Sequence, residues 1–299
     1  MRKLLIVILV LLVSVVVLLA LGYRYMTHRV EGDYFDSDGA RLHYTVEGQG
    51  DPVILLHGFA VHADLNWRRP GLTEELAKHY RVIALDLRGH GLSDKPHDTA
   101  AYGDHMIEDI RLLMDHLQID KAHLIGYSLG GFITLKFAVD HPERLLTASV
   151  LGAGWERPDE SAFMQTLAKM AEALETGGTI PPLAGSLGGP DRAEPTFLHQ
   201  IWVRILTGFF CDGDALAALI RSIPSVGVEE EQVRSLSMPV CNIVGGNDPL
   251  AHGAQALTGR VPDLTQVIIP EADHIRTPMQ PLFRETLFAF LAAHSTAGQ

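Results

Sequence analysis

The chain has 299 residues, of which 47% are hydrophobic and 20% are charged. Its 24 basic and 36 acidic side chains give a formal net charge of -12 at pH 7. This composition excludes a largely disordered chain, and it offers no basic surface for nucleic acid, because phosphate binding needs clustered lysine and arginine.

The first element is an uncharged apolar run over residues 4–22, preceded by Arg2 and Lys3. A helix of this length would extend roughly 28 Å, about the thickness of a hydrocarbon core. We therefore predict one transmembrane helix within residues 1–30, which anchors the protein in the membrane with the rest of the chain outside the cytoplasm. The alternative is a signal peptide cleaved near residues 20–22, which would give a secreted protein.

The next part of the chain alternates strands with helices. Continuous apolar runs such as "PVILLHG" and "YRVIALD" are typical of strands buried on both faces of a parallel sheet. Strands are predicted at residues 41–48, 52–58, 80–86, 122–127 and 145–153, and helices at residues 72–79, 104–117 and 129–140. This alternation predicts an α/β fold with a mostly parallel sheet that is covered on both faces.

The alternation stops after residue 153. Helical patterns at residues 162–175 and 197–210 are separated by a segment rich in glycine and proline. Strands then return at residues 240–246 and 264–270, and a helix at residues 281–294 follows. We predict that residues 31–153 and 238–299 form the core and that residues 154–237 form a helical cap inserted between two strands.

A candidate nucleophile lies between a predicted strand and a predicted helix. The segment Gly126-Tyr127-Ser128-Leu129-Gly130 has the form G-x-S-x-G, in which a serine sits on a strained turn with small neighbours. Because both flanking elements are predicted, the pattern favours a nucleophilic Ser128 over an ordinary turn.

A serine nucleophile needs a base, and the base needs a carboxylate that orients it. Functional groups of such sheets cluster beyond the carboxyl ends of the strands, where Asp248 and His274 follow two later strands. We predict His274 as the base and Asp248 as its partner. Capping of the following helix is a competing role for Asp248, and Asp273 is predicted to point away from the base.

The negative oxygen of a tetrahedral intermediate needs N–H donors. The backbone N–H groups of Leu129, just after the nucleophile, and of Phe59, in the loop after residues 52–58, are the candidates. Gly58 lets this loop approach closely, and His57 is predicted to brace it by hydrogen bonding. These residues imply neither a metal nor an organic cofactor.

Five ordered motifs, "HGF", "DLRGHGLSD", "GYSLGG", "GGNDPL" and "ADH", resemble the α/β-hydrolase superfamily. The resemblance implies an eight-stranded, largely parallel sheet and a cap after the sixth strand. It also implies a triad of Ser128, Asp248 and His274, whereas "DLRGHGLSD" corresponds to a structural turn. Haloalkane dehalogenases and epoxide hydrolases of this superfamily carry aspartate at the position of the serine.

The predicted activity is hydrolysis of carboxylic esters, as in esterases and lipases, through an acyl-enzyme. The expected partner is a small ester whose acyl or alcohol part is moderately apolar, because the predicted cap is rich in apolar side chains. The apolar candidates are Trp155, Phe163, Met164, Met170, Phe197, Trp202, Phe209 and Phe210. Carbon–carbon bond hydrolysis, perhydrolysis and non-catalytic ligand binding on the same fold are alternatives. The expected extracytoplasmic location argues against carbon–carbon hydrolysis of an intracellular ring-cleavage product.

Overall fold

A computed structural model of the chain describes residues 2–155, 162–176 and 211–295. The predicted helix at residues 197–210 lies outside these ranges. The chain divides into two compact units, Met1–Glu31 and Gly32–Gln299. The finer division into a core and a cap at residues 154–237 stays a prediction.

The first unit contains helix α1, Arg2–Thr27. Within the described part of the chain, no helix combines the length and the apolarity that crossing a bilayer requires. A spanning helix needs about 20 predominantly apolar residues in one continuous stretch. The predicted transmembrane helix is therefore wrong, and so is the membrane location that rested on it. The prediction relied on the uncharged apolar run over residues 4–22 and on the length of the helix that such a run would form.

The second unit is built on an eight-stranded sheet with the order β1-β2-β4-β3-β5-β6-β7-β8. Strand β1 pairs antiparallel with β2, and β2 pairs antiparallel with β4. Every other neighbouring pair is parallel, which confirms the mostly parallel sheet. The strands are β1 Asp33–Ser37, β2 Ala40–Glu47, β3 Pro52–Leu56, β4 Arg81–Leu85, β5 Ala122–Tyr127, β6 Leu145–Leu151, β7 Val240–Gly245 and β8 Leu264–Ile269.

Helices follow most of the parallel strands. The longer ones are α3 Asp104–His116, α4 Leu129–Asp140, α5 Ala162–Glu175, α6 Gly213–Ser222 and α9 Pro281–Ala293. The shorter ones are α2 Leu72–Leu76, α7 Glu230–Arg234 and α8 Ala251–Ala256. A π-helical turn forms at Asp64–Arg68, and 3-10 turns form at Thr99–Ala101, Pro142–Arg144, Ile223–Val226 and Thr277–Met279.

Apolar clusters cover both faces of the sheet. Successive side chains of a strand point to opposite faces, so each central strand contributes to both clusters. In β3, Ile54 and Leu56 join a cluster that includes side chains of α3 and α4. Val53 and Leu55 of the same strand join a second cluster, which includes side chains of α2 and α9. All four are fully buried, so a continuous apolar run is what this central strand requires.

Two helices between β6 and β7 pack on each other. Leu167 and Met170 of α5 form a cluster with Leu216 and Ile220 of α6. Helix α5 has the predicted bounds, whereas α6 was not predicted. Its amino end is capped by Asp212, whose carboxylate accepts the Ala215 N–H at 3.1 Å.

Candidate active site

Ser128 lies on a tight turn between β5 and α4, with φ 56° and ψ -115°. A side chain at Gly126 would place its Cβ 1.9 Å from the Gly130 carbonyl oxygen. A Cβ at Gly130 would lie 2.2 Å from the Leu56 carbonyl oxygen. Both glycines are therefore required by close backbone contacts, and Ser128 adopts a left-handed conformation that is unfavourable for a residue with a side chain.

The turn is also tied to the neighbouring strand and to its own helix. The Ser128 N–H donates to the Leu151 carbonyl at the end of β6, at 2.8 Å. The Ser128 carbonyl accepts the N–H groups of Gly131 and Phe132 at 2.8 and 3.1 Å. These bonds fix the backbone of Ser128, while its side chain remains only partly buried.

His274 and Asp248 meet beyond the carboxyl ends of β8 and β7. Nδ1 of His274 lies 2.7 Å from Oδ2 of Asp248, and both side chains are buried. The other oxygen of Asp248 accepts the Leu250 N–H at 2.9 Å. Because an ionised carboxylate only accepts, the bond places the proton of a neutral His274 on Nδ1 and leaves Nε2 able to take a proton.

The loop that carries His274 is held from two sides. Oδ1 of Asp273 accepts the N–H groups of Ile275 and Arg276, at 3.0 and 2.7 Å. The Tyr127 hydroxyl donates to the His274 carbonyl, and the two rings lie with their centroids 5.2 Å apart. Burial holds the pKa of Tyr127 well above its ordinary value, so the phenol stays protonated and able to donate. Asp273 thus supports the turn, while Asp248 contacts the imidazole.

Residues 57–63, which we name the oxyanion loop, pass close to Ser128. A Cβ built on Gly58 would lie 3.4 Å from Cβ of Ser128, so this backbone approaches the serine closely. The Gly58 N–H donates to Oδ1 of Asn66 at 3.0 Å. In contrast, the N–H groups of Phe59 and Leu129 donate to no acceptor among the described residues. Two backbone donors beside Ser128 are therefore available to a bound molecule.

Ser128 and His274 line one cavity of about 300 Å³. Its described wall is almost entirely apolar and contains neither lysine nor arginine. The lining residues are Gly58, Phe59, Val61, Leu65, Asn66, Pro70, Tyr127, Ser128, Leu129, Phe132, Leu167, Met170, Leu219, Ile220, Ile223, Leu250, His274, Ile275, Pro278 and Met279. The cavity brings together four of the five predicted site residues, and the fifth, Asp248, contacts it through His274.

The predicted cap side chains have different positions. Met170 lines the cavity, whereas Trp155 is buried elsewhere and donates its indole N–H to the Val228 carbonyl at 2.7 Å. The side chains of the remaining predicted cap residues lie outside the described part of the structure, namely those of Phe163, Met164, Phe197, Trp202, Phe209 and Phe210.

Sequence reasoning missed several lining residues. Asn66 has no motif to mark it, because its amide reaches Gly58 only through the fold of the loop. Tyr127 occupies a variable position of the G-x-S-x-G pattern, which says nothing of its bond to His274. Leu219 and Ile220 belong to α6, whose amphipathic pattern begins right after the capping Asp212 and could have signalled a helix.

One group of potential metal ligands occurs among the described residues, away from the cavity lining. The ligand atoms of His97, Asp212 and Asp214 lie within 4.8 Å of one another. Nε2 of His97 lies 3.0 Å from Oδ2 of Asp212, and the His97 side chain is exposed. None of the three is among the described residues that line the Ser128 cavity.

The amino-acid sequence is similar to those of several enzymes. The chain is 29% identical over 252 residues to a dihydrolipoyllysine-residue acetyltransferase component of an acetoin cleaving system from Pseudomonas putida, over 82% of this chain and 64% of that protein. It is 38% identical over 117 residues to a 2-hydroxymuconate semialdehyde hydrolase from Pseudomonas sp. (strain CF600), over 38% of this chain and 41% of that protein. The chain thus spans less than two thirds of the length of either relative.

A solved structure of a thermophilic esterase from Thermogutta terrifontis has a similar fold. The two structures agree with a TM-score of 0.70 at 25% identity, over 90% of this chain and 100% of the esterase. Residues 51–178 match a sequence family described as the alpha/beta hydrolase fold. These residues span β3 to α5 and include the nucleophile turn. With the eight-stranded sheet and its order, this match shows that the chain has the α/β-hydrolase fold.

Proposed function

We propose that the protein is a serine hydrolase of carboxylic esters in which Ser128 is the nucleophile. The bond between His274 and Asp248, at 2.7 Å in the wall of the cavity that Ser128 shares, is the observation that carries the proposal. The match to the alpha/beta hydrolase family supports hydrolysis in general, and the esterase of similar fold supports the choice of an ester.

In the proposed first step, the Ser128 hydroxyl attacks the ester carbonyl while Nε2 of His274 takes its proton. Asp248 holds the imidazole in the tautomer that can accept this proton, and its negative charge stabilises the imidazolium that forms. His274 then donates the proton to the leaving alcohol. The product of this step is an acyl group on Ser128 and a free alcohol.

The developing negative oxygen is stabilised by the N–H groups of Phe59 and Leu129 in this proposal. Both donors lie beside Ser128 and have no acceptor within the described part of the chain, so the reacting oxygen would displace no hydrogen bond recorded there. Such a donor typically contributes about 3 kcal/mol to the transition state. Water activated by His274 then attacks the acyl group, and the same donors stabilise the second tetrahedral intermediate.

The cavity wall suggests the substrate class. Apolar side chains dominate a volume of about 300 Å³, so an acyl or alcohol part with a short to medium hydrocarbon chain would replace water favourably. Because the described lining offers no lysine or arginine, a carboxylate on the substrate would find no ion-pair partner there. We therefore propose uncharged esters.

Fluorophosphonate labelling tests the nucleophile. The wild-type protein should label and should hydrolyse p-nitrophenyl butyrate, whereas Ser128→Ala should lose both activities because the described cavity lining contains no other serine, threonine or cysteine. Ser149→Ala is the matched control, since Ser149 is a buried serine of β6 that does not line the cavity. Labelling of Ser128→Ala at the wild-type rate would refute the assignment of Ser128, and an unlabelled, inactive wild-type protein would favour a non-catalytic ligand-binding role.

Carbon–carbon bond hydrolysis is the second candidate, and the 2-hydroxymuconate semialdehyde hydrolase supports it. Because the predicted membrane anchor is wrong, an extracytoplasmic location no longer disfavours this activity. The uncharged described lining is now the argument against it, because a muconate substrate carries a carboxylate. Higher kcat/KM for a ring-cleavage diketone than for p-nitrophenyl esters would reverse the order of the two candidates.

A further inference from the structure

The segment "DLRGHGLSD", residues 86–94, directly follows β4 and takes no part in the proposed chemistry. We name it the 86–94 turn. Three hydrogen bonds connect it to the oxyanion loop, which begins directly after β3, the neighbour of β4. The bonds run from Leu87 N–H to His57 Nε2 at 3.0 Å, from Ala60 N–H to His90 Nε2 at 3.1 Å, and from Ala63 N–H to Asp86 Oδ1 at 2.9 Å.

His57 is fully buried and has a defined tautomer. Its Nε2 faces the Leu87 N–H, which can only donate, so Nε2 is the acceptor. Its Nδ1 therefore carries the proton and donates to the Gly58 carbonyl at 2.7 Å. A neutral imidazole thus links the 86–94 turn to the residue that precedes Phe59.

His90 likewise connects the 86–94 turn to the oxyanion loop, at Ala60, the residue that follows Phe59. Its Nε2 accepts the Ala60 N–H, and its Nδ1 donates to the Arg88 carbonyl at 3.1 Å. Burial, with a further contribution from neighbouring His57, lowers the pKa of His90 to about 3, so the ring is neutral at physiological pH. Ala60 has φ 57°, a conformation that a residue with a side chain adopts only when its surroundings hold it.

Asp86 connects the 86–94 turn to the last residue of the oxyanion loop, Ala63. Its carboxylate accepts N–H groups from Ala63 and Leu92 and a bond from Nδ1 of His43. Burial opposes its ionisation, but these bonds outweigh burial and hold the pKa of Asp86 well below its usual range. Gly91 is needed here, because its Cβ would lie 2.2 Å from the carboxylate.

We propose that the 86–94 turn positions the oxyanion hole, with His90 as the positioning residue that sets Ala60 and hence the neighbouring Phe59 N–H. The inference rests on the proposed function. The loop N–H groups of Gly58, Ala60 and Ala63 each have a side-chain acceptor, whereas the Phe59 N–H has no acceptor among the residues that the structure describes. The Phe59 ring also packs on His90, with centroids 6.0 Å apart.

A positioning role differs from a merely structural one in what it changes. Loss of the Ala60 bond would let the loop rotate and turn the Phe59 N–H away from the reacting oxygen. That donor acts on the transition state, so its displacement lowers kcat and leaves KM for a small ester nearly unchanged. A structural role would change the free energy of unfolding and leave kcat of the folded protein unaltered.

Three substitutions of His90 distinguish the effect of its bond to the Ala60 N–H from the effect of its bond to the Arg88 carbonyl. In His90→Gln, the amide oxygen can take the place of Nε2 and accept the Ala60 N–H. In His90→Asn, the shorter amide can replace only Nδ1, which contacts Arg88. His90→Leu removes both bonds at similar volume. His123→Gln is the matched control, because His123 is a buried histidine that contacts Thr147 and lies outside the oxyanion loop.

Each folded variant is assayed with p-nitrophenyl butyrate and with a trifluoromethyl ketone that forms a tetrahedral adduct. We expect kcat to fall on the order of 10- to 100-fold in His90→Asn and His90→Leu, less in His90→Gln, and not in His123→Gln. Inhibition by the ketone should weaken by the same factor while KM changes little.

The positioning role of the 86–94 turn would be overturned if the Gln, Asn and Leu variants had equal kcat values, or if all of them had the kcat of the wild type. Neither result would affect the assignment of Ser128 as the nucleophile. If His90→Leu does not fold, the comparison of His90→Gln with His90→Asn decides the question. A wild-type protein without fluorophosphonate labelling would overturn the proposed function, and this inference with it.

Discussion

At the scale of single residues, the placement of the candidate triad followed from local pattern. Ser128 lies between a strand and a helix that periodicity predicts, and Asp248 and His274 each follow an apolar run. What pattern could not predict are contacts made across the fold, such as the Tyr127 hydroxyl on the His274 carbonyl. These depend on distances between segments far apart in the chain, about which local periodicity carries no information. The catalytic roles themselves stay predictions.

The choice of Asp248 over the adjacent Asp273 can be tested at this scale. Asp248→Asn should lower kcat on the order of 10³- to 10⁴-fold, because an amide can present an N–H to Nδ1 of His274 and stabilise the wrong tautomer. The measurement is kcat for p-nitrophenyl butyrate at neutral pH, with circular dichroism to confirm folding.

Asp273→Asn is the comparison variant. It keeps an oxygen that can accept the N–H groups of Ile275 and Arg276, so it should lower kcat far less than Asp248→Asn does. A larger loss of kcat in Asp273→Asn than in Asp248→Asn would exchange the roles of the two carboxylates.

At the scale of elements, the parallel strands were predictable from the sequence, whereas the antiparallel edge strand β1 was not. Strand β3 is a continuous apolar run, whereas β1 is the short segment "DYFDS", in which polar residues obscure the pattern. The strand order, with β4 between β2 and β3, depends on crossover connections that have no local signature. Helix α6 was not predicted, although an amphipathic pattern begins directly after its capping residue, Asp212.

The helices between β6 and β7 should govern acyl length. Leu167 and Leu174 lie seven residues apart on α5 and belong to one apolar cluster, but only Leu167 lines the cavity. In Leu167→Phe, the larger ring should occupy space needed by a long acyl chain. The kcat/KM for p-nitrophenyl octanoate relative to the acetate should fall roughly 10-fold, the effect of one or two methylene groups.

Leu174→Phe is the matched control for this prediction. It changes the same cluster by the same volume without facing the cavity, so the ratio of octanoate to acetate hydrolysis should stay at its wild-type value. An equal decrease of this ratio in both variants would indicate that α5 is generally disturbed and that the size of the cavity is not the cause.

At the scale of the whole molecule, buried neutral histidines connect stability with pH. Burial lowers the pKa of His90 to about 3 and that of His123 to about 4. Both values lie below the ordinary value of about 6.5. As the pH falls, these histidines are therefore protonated at a higher pH in the unfolded chain than in the folded protein. Besides its backbone partners, His90 faces His57, Asp86 and Lys95. The stability due to the two neutral rings is therefore fully present above pH 6.5 and is lost as the pH falls below it.

The free energy of unfolding should consequently decrease as the pH falls from 6.5 to 4. Each of the two histidines contributes a slope of about 1.4 kcal/mol per pH unit in this range. Urea denaturation at several pH values should show a shallower slope for His123→Gln than for the wild type. His79→Gln is the control, because His79 is exposed. An unchanged slope in His123→Gln would contradict the prediction.

The turn at Ser128 has a consequence for how the protein loses activity. Its left-handed backbone persists only because β5, α4 and β3 are in contact through glycines that leave no free space. A slight separation of this strand and helix would allow the serine to relax toward an ordinary turn and withdraw its hydroxyl from the cavity. Enzymatic turnover should therefore report a loosening of the sheet earlier than any spectroscopic measure of secondary structure, and inactivation under mild denaturing conditions should precede unfolding.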